Sequence, residues 1–416
     1  MEPTLPRPRG GFATRAVQGA AIVPEVGQTP VGPAIWPSAT WSMPRSSEVG
    51  DLLVDATPGY VYGRYDNPTA TTLHNLVASL HEAPAAWSTA SGTAAIHAVL
   101  SVLRGAGRIL ATSRLYGGTW ALLRRLTDES GWQVDHADLL TADTLAARLT
   151  DEHTVVYVET IANPSTAVAD VAGMAAVCRE RGVALVVDNT FASPYLCRPY
   201  ELGATAVVES ATKYLAGHGD VVAGVVAGDT GLIAQVREHV FELGGSLGPF
   251  EAWLVVRGLQ TLPLRMRASG GNALALANAL VASGAVDTVR YPGLADHPQH
   301  DLADRLFAGR GFGGVLSFDL PGRRSAEAFA DACTVFARAA SLGGTHSLVL
   351  HPASTSHRQL DEAGLAAAGL GSGTIRLAVG IEDEQDLLDD LHQALAAADQ
   401  PAADQPPGDD TPRSAP

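Results

Sequence analysis

The sequence contains a single lysine, Lys213, in the stretch VVESATKYLAGHGDVVAG, although lysine and arginine together number 28. Arginine can replace lysine wherever only positive charge is needed, but its guanidinium stays protonated and is not a nucleophile. A lysine amine in a site of low polarity loses its proton more readily and can form a Schiff base with a carbonyl. The retained lysine therefore favours a chemical role, with a chance survivor on an exposed helix as the alternative.

A carboxylate is predicted near this lysine. Asp188 ends the apolar run ALVVD, and parallel sheets present functional groups at the carboxyl ends of their strands. A buried carboxylate there could keep a pyridine nitrogen protonated, as pyridoxal phosphate requires to accept electrons. An aspartate that caps a turn is the other interpretation of Asp188.

Two further groups could bind a phosphate. Gly92 and Thr93 stand at the start of a predicted helix in STASGTAAIHAVL, where free N–H groups and the positive helix end attract anions. An ordinary helix N-cap is the alternative for this motif. Ser210 and Thr212, two residues apart, are expected on one side of a strand. Their hydroxyls could bind the same phosphate while Lys213 reaches an aldehyde.

The elements that would position these residues alternate between helix and strand from about residue 70. TVVYVET and VALVVDN are near-continuous apolar runs, as expected for strands buried on both faces. The helix DVAGMAAVCRERG lies between them and is closed by Gly182. This order predicts βαβ units in a large, mostly parallel sheet, hence an α/β fold. After about residue 255, fewer strands among long helices predict a smaller α+β C-terminal domain.

We therefore expect four segments. They are an N-terminal arm over residues 1–60 (1–10 disordered), a main domain over 61–255, a C-terminal domain over 256–398 and a disordered tail over 399–416. The ends are proline-rich, and the tail lacks apolar periodicity.

Composition argues against several function classes. The net charge of -16 disfavours a nucleic-acid partner, because binding phosphates needs a basic face. No apolar run reaches the ~18 residues needed for a membrane helix, and the first residues lack a signal-peptide core. Cys178, Cys197 and Cys333 have no metal-like spacing and suggest buried thiols in a reducing compartment. We expect a cytoplasmic protein without a metal.

Nine motifs occur in order between about residues 11 and 397: YGRYDNPT, ASGTAAI, LYGGT, ETIANPS, VVDNTFASPY, SATKYLAGHGDVVAG, RGLQTLPLRM, SLGGTHSL and IRLAVGIED. Together they resemble the cysteine/methionine-metabolism family of pyridoxal-phosphate enzymes. The resemblance implies a fold-type I subunit, in which residues 61–255 bind the cofactor. It also implies a homotetramer built as a dimer of dimers, with active sites shared across each dimer.

The resemblance implies roles for individual residues. Lys213 would carry the cofactor, Asp188 would pair with its ring nitrogen, and Tyr116 would stack on the ring and assist proton transfer. Tyr62 and Arg64 would reach the phosphate in the neighbouring subunit. The complete cofactor-binding set is Tyr62, Arg64, Gly92, Thr93, Tyr116, Asp188, Ser210, Thr212 and Lys213.

The resemblance also implies a substrate site for an amino acid. Arg376 would bind the substrate carboxylate, with Asn163 and Ser341 beside it. Family members that handle cystathionine tend to carry glutamate where this chain has Ala340, and methionine γ-lyases typically carry cysteine where it has Gly118. The chain departs from both patterns, and the missing carboxylate favours a substrate with an uncharged tail.

The sequence thus predicts a methionine γ-lyase-like α,γ-elimination that yields 2-oxobutyrate, ammonia and a thiol. The alternatives are a cystathionine γ-synthase or γ-lyase, or an O-acetylhomoserine sulfhydrylase that performs γ-replacement. A remote alternative is a non-catalytic relative that binds a partner. The joint presence of Lys213, Asp188, Tyr116 and Arg376 argues against it, because a binding module needs none of these four together.

Overall fold

The computed structural model describes residues 10–18, 31–54, 57–355, 358, 362, 365 and 369–399. The predicted disordered ends, residues 1–10 and 399–416, lie outside these ranges except for Gly10 and Asp399. Within them, no helix is both long and apolar enough to cross a membrane.

Seven strands form the larger sheet. They are β1 Ala85–Thr89, β2 Arg108–Thr112, β3 Val134–Ala137, β4 His153–Glu159, β5 Ala184–Asp188, β6 Ala206–Glu209 and β7 Gly224–Gly228. Their order is β1-β7-β6-β5-β4-β2-β3. All neighbours pair in parallel except β7, which is antiparallel to both β1 and β6. The prediction of a large, mostly parallel sheet is confirmed.

Helices surround this sheet and supply its hydrophobic cores. They are α1 Phe12–Gln18, α2 Ser46–Leu53, α3 Pro68–Leu80, α4 Gly92–Arg104, α5 Gly117–Ser130, α6 Ala142–Ala146, α7 Val171–Arg181, α8 Ser193–Leu196, α9 Thr230–Leu243 and α10 Pro249–Leu259. In β4, Val155 and Tyr157 pack into one core and Val156 and Val158 into another, because successive side chains point to opposite faces. Both faces of β4 are therefore buried, which explains its continuous apolar sequence.

The C-terminal part contains a five-stranded sheet. Its strands are β8 Thr288–Arg290, β9 Val315–Asp319, β10 Ala337–Arg338, β11 Leu348–Leu350 and β12 Thr374–Ala378, in the order β10-β11-β12-β9-β8. Only β10 and β11 pair in parallel. The accompanying helices are α11 Leu262–Ser283, α12 His300–Phe307, α13 Arg323–Ala332 and α14 Glu384–Ala398, with a 3₁₀ turn at Pro352–Ser354. This part is the smaller α+β unit expected from the sequence.

The two parts meet at the chain segment that carries the lysine. Arg265 of α11 is buried and donates to the carbonyls of Tyr214 and Gly258, each at 2.7 Å. Because Tyr214 directly follows Lys213, this arginine fixes the backbone beside the lysine. Helix α10 contains residues 255 and 256, between which the domain boundary is predicted. The exact boundary stays a prediction.

One local prediction is wrong. Ser210 and Thr212 were expected on one side of a strand, but β6 ends at Glu209 and residues 211–216 form a turn. The strand ends there because the turn closes on itself, with the Lys213 N–H bonded to the Ser210 carbonyl at 3.0 Å. The two hydroxyls are therefore placed by the turn and not by strand alternation.

Candidate active site

The larger sheet gathers acidic side chains at one edge. Strands β4 and β5 run in parallel with Glu159 opposite Asp188, so both carboxylates lie at the carboxyl ends of their strands. Lys213 follows the adjacent strand β6 and therefore leaves the sheet at the same edge. This is the edge at which open α/β sheets bind ligands.

The Lys213 amine lies in a partly buried position between the two domains. Its Nζ donates to the Ser341 hydroxyl at 2.8 Å. Burial, together with the nearby charge of Arg376, lowers the pKa of Lys213 from 10.5 to about 8. At neutral pH a useful fraction of this amine is therefore unprotonated, as a nucleophile or base requires.

A glycine allows the segment that carries Ser341 to approach the lysine. Gly343 has φ +74°, and a Cβ there would lie 2.7 Å from the Tyr214 nitrogen and 3.1 Å from the Lys213 carbonyl carbon. A side chain at this position would collide with the backbone that carries the lysine. Ser341 itself has φ +106°, a strained conformation for a residue with a side chain.

Arg376 on β12 is a buried cation in which one of the three side-chain nitrogens lacks a hydrogen-bond partner among the described residues. Its Nη1 donates to Asn163 Oδ1 at 3.1 Å and its Nη2 to the Ser341 carbonyl at 2.7 Å. Its side chain is 4% exposed, and its Nε has no hydrogen-bond partner among the described residues. Burial lowers the pKa of Arg376 to about 10, so the guanidinium stays charged at neutral pH. A buried cation without an anion fits a ligand carboxylate.

Asp188 and Glu159 form a carboxylate pair for which the described residues provide no counter-ion. Asp188 accepts hydrogen bonds from the Tyr157 hydroxyl at 3.0 Å and from the Thr190 N–H and hydroxyl at 3.0 and 2.5 Å. No cationic side chain of the described ranges forms an ion pair with either carboxylate. Burial raises the pKa of both groups. The pair would be stabilised by a cation such as a protonated ring nitrogen.

The sequence reasoning missed three residues around Asp188, namely its pair member Glu159 and its hydrogen-bond donors Tyr157 and Thr190. Thr190 joins two predicted site residues, because its hydroxyl donates to Asp188 and accepts from the Ser210 N–H at 2.9 Å. Glu159 ends a strand in the same way as Asp188, so the rule of strand ends could have found it. Tyr157 looks like an ordinary core residue in the sequence.

The start of α4 and the turn after β6 make a narrow cradle. A Cβ on Gly92 would lie 2.8 Å from the Ser210 Cβ, so only glycine fits at this contact. As first residues of a helix, Gly92 and Thr93 have N–H groups without intrahelical partners. The Thr212 hydroxyl bonds the Ala223 N–H at 2.9 Å and the Ala223 carbonyl at 3.2 Å. The cradle combines a helix N-terminus with the Ser210 hydroxyl, which suits a phosphate.

Tyr116 lies at the N-terminus of α5, next to Glu159. Its N–H donates to a Glu159 carboxylate oxygen at 2.6 Å, and the residue is 47% exposed. A Cβ on Gly118 would lie 2.4 Å from the Tyr116 ring. The absence of a side chain at Gly118 therefore lets the tyrosine ring fold over the start of the helix.

Three predicted residues lie apart from this cluster or at its margin. Arg64 is exposed and donates to the Phe241 carbonyl at 2.7 Å, and Tyr62 is 42% exposed. Ala340 is exposed and directly precedes Ser341. Tyr62 and Arg64 thus face the outside of the single chain, whereas the other predicted residues surround Lys213, Arg376 and Asp188.

The residues present fit pyridoxal phosphate. A lone lysine of lowered pKa, a carboxylate pair without a cation and a cradle that a Cβ would fill each match one part of that molecule: its aldehyde, its ring nitrogen and its phosphate. In the part of the chain that the structure describes, no cluster of three or more histidine, cysteine, aspartate or glutamate residues could hold a metal ion. The three cysteines are buried and free.

Comparison with known proteins gives the same assignment. The sequence model of the family described as Cys/Met metabolism PLP-dependent enzyme matches residues 13–396. An L-methionine γ-lyase of Pseudomonas putida is 40% identical over 400 residues, which cover 93% of this chain and 98% of that protein.

Two solved structures have the same fold. A cystathionine γ-lyase of Micromonospora echinospora is 40% identical with a TM-score of 0.86, covering 93% of this chain and 100% of the other. A cystathionine γ-synthase of Xanthomonas oryzae pv. oryzae, solved with cystathionine, is 36% identical with a TM-score of 0.87, covering 94% and 99%. The chain therefore belongs to the pyridoxal-phosphate-dependent enzymes of cysteine and methionine metabolism.

Proposed function

We propose that the protein is a C–S lyase that acts on methionine or a similar uncharged thioether by α,γ-elimination. The observation that carries this proposal is the absence of a carboxylate beside Ser341, where Ala340 stands. Arg376 and its neighbours provide for the α-carboxylate that every amino-acid substrate shares. What differs between substrates is the far end, and Ala340 offers no partner for a charge there.

Each site residue has a role in this reaction. Arg376 binds the substrate carboxylate through its free Nε and holds Cα near Lys213. The Lys213 amine accepts the Cα proton, since its lowered pKa keeps it available as a base. Lys213, Asp188 and the cradle at Gly92 would hold pyridoxal phosphate, which when bound would supply an electron sink. Tyr116 would move a proton at the departing sulfur.

The hydrogen bond from the Lys213 amine to the Ser341 hydroxyl contributes to the same chemistry. The Ser341 Oγ holds the Lys213 amine at 2.8 Å, and the Ser341 carbonyl holds Arg376. One residue therefore sets the distance between the base and the carboxylate binder. The strained φ of Ser341 is tolerated because both contacts fix it.

The rival reactions remain cystathionine cleavage, cystathionine synthesis and sulfhydrylation. The relatives divide in the same way, because the lyase named for methionine and the lyase named for cystathionine are each 40% identical to this chain. Gly118 favours neither reaction by itself. The distal charge of the substrate is the property that separates them.

The proposal includes a homotetramer, built as a dimer of dimers, in the cytoplasm. Tyr62 and Arg64 support it, because they face outward from their own chain and would complete the phosphate site of a neighbour. Ala340 is also exposed in the single chain. A neighbouring subunit that covers Ala340 would exclude water from the distal end of the substrate. A charge at that end would then be desolvated without a partner, which would disfavour charged substrates.

We expect kcat/KM to be higher for methionine than for cystathionine, because a site without a distal carboxylate cannot offset the desolvation of cystathionine's far charges. Ala340→Glu should lower the ratio of kcat/KM for methionine to kcat/KM for cystathionine by about 10- to 100-fold, as for one contact of a few kcal/mol. The preference for methionine would then narrow or reverse. The measurement is steady-state kinetics with identification of 2-oxobutyrate, ammonia and thiol, and Ala340→Gln is the matched control without charge. Faster turnover of cystathionine by the wild type, or faster synthesis of it from an activated homoserine ester, would refute the assignment.

The pKa of Lys213 can be measured directly, since no other lysine reacts. In folded, cofactor-free protein, acylation of Lys213 should speed up about tenfold per pH unit and level off near pH 8, because only the neutral amine reacts. Peptide mass spectrometry gives the rate, with the N-terminal amine as internal reference. Arg376→Met should move the midpoint upward, because it removes a cation that lowers the pKa. A wild-type midpoint at the ordinary lysine value of 10.5 would contradict the buried, activated amine.

The shared site is tested with two inactive variants. Arg64→Ala and Lys213→Ala should each be nearly inactive, but refolding them together should form hybrids with one intact site and restore part of the activity. Arg45→Ala, which removes an exposed arginine paired with Glu48, is the matched control and should stay active alone. Hybrids that form, as shown by mass spectrometry, without regaining activity would count against the shared site.

A further inference from the structure

We propose that Glu159 is a positioning residue that holds the proton-transfer tyrosine and the substrate-carboxylate site in register with each other. The inference rests on the proposed function only in requiring an amino-acid substrate bound at Arg376. It does not depend on which sulfur amino acid is cleaved.

Glu159 connects two chain segments, because each of its carboxylate oxygens accepts one backbone hydrogen bond. Its side chain is 6% exposed at the end of β4. One carboxylate oxygen accepts from the Tyr116 N–H at 2.6 Å and the other from the Asn163 N–H at 3.1 Å. These two residues lie in different chain segments, Tyr116 at the N-cap of α5 and Asn163 within the loop after β4. The carboxylate is therefore the direct link between the two segments.

The hydrogen bond between Glu159 and Asn163 leads on to the proposed substrate site. Asn163 accepts from Arg376 at 3.1 Å, Arg376 donates to the Ser341 carbonyl at 2.7 Å, and the Ser341 hydroxyl accepts from Lys213 at 2.8 Å. An unbroken series of hydrogen bonds thus runs from the Tyr116 backbone, through Glu159, to the lysine amine. A shift of Glu159 would move both ends of the site.

A structural role alone does not explain a carboxylate at this position. The buried Glu159 stands opposite the half-buried Asp188, and the two neighbouring carboxylates repel each other. Glutamine would fill the same volume without this cost. However, its amide has only one accepting oxygen and would present an N–H to the second backbone donor. Only a carboxylate can accept from Tyr116 and Asn163 at the same time.

The chain offers a matched control in Glu209. This glutamate is 2% exposed at the end of β6, where it accepts from Asn189 Nδ2 at 2.9 Å and contacts His81 Nε2 at 3.2 Å. One oxygen, Oε1, makes both contacts, and glutamine can reproduce it. Glu209 touches neither Tyr116 nor the residues that hold Arg376, so its replacement tests burial and charge alone.

The test compares Glu159→Gln with Glu209→Gln in full-length holoenzyme, with rates expressed per cofactor-loaded site. We expect Glu159→Gln to lower kcat/KM about 10- to 100-fold, the range for one hydrogen bond to a buried charge, with KM raised through Asn163 and kcat lowered through Tyr116. Glu209→Gln should change KM and kcat each by less than about threefold. The substrate is whichever amino acid the wild type cleaves, so a wrong reaction class would leave this result intact.

A double-mutant cycle separates positioning from general damage. In an Asn163→Ala background, Glu159→Gln should raise KM by much less than it does in the wild type, because the path to Arg376 is already broken. Full additivity of the two changes in KM would overturn the proposal, and so would equal losses in the two glutamine variants. If Glu159→Gln does not fold, the same cycle is run with Glu159→Asp, which keeps the charge but is too short to reach both N–H groups. Additivity there would overturn the proposal equally.

Discussion

The site depends on one residue that connects the two domains, Ser341, which forms hydrogen bonds with both Lys213 and Arg376. The larger sheet delivers Lys213 at its carboxyl edge, and the smaller sheet delivers Arg376 from its central strand β12. The hydroxyl of Ser341 holds the lysine and its carbonyl holds the arginine. In the proposed reaction, the base Lys213 and the carboxylate binder Arg376 must lie at a fixed separation to act on one Cα, so the packing of the two domains would set the geometry of that reaction.

The electrostatics of the site are incomplete within the single chain. Arg376 is a buried cation with a free Nε, and Asp188 and Glu159 are carboxylates without a cation among the described residues. Such groups destabilise a folded chain unless a partner of opposite charge reaches them. A substrate carboxylate and a protonated cofactor ring are suitable partners, so the arrangement favours binding over stability of the empty site.

The sequence predicted the large, mostly parallel sheet, and the structure brings together most of the residues predicted for the site, because reactive side chains and strand ends leave strong signals. The lone lysine, the aspartate that ends ALVVD and the glycine at the start of α4 are all visible in one sequence. The turn at Ser210 and Thr212 was missed, since apolar periodicity does not show where a strand stops. Glu159 was missed because a glutamate after an apolar run resembles any solvated strand end. The roles of Tyr62 and Arg64 stay predictions, because they concern a second chain.

Replacement of Lys213 by arginine tests the central claim most directly, since it separates charge from chemistry at one atom. Lys213→Arg keeps a cation beside Ser341 but cannot release a proton. With pyridoxal phosphate added in excess, the wild type should show a visible absorbance band that shifts when an amino-acid substrate is added. Lys213→Arg should fold with a similar Tm, show no such lysine-bound band and cleave no C–S bond. Retention of substantial activity by Lys213→Arg would contradict the account, because lysine would then serve only as a positive charge.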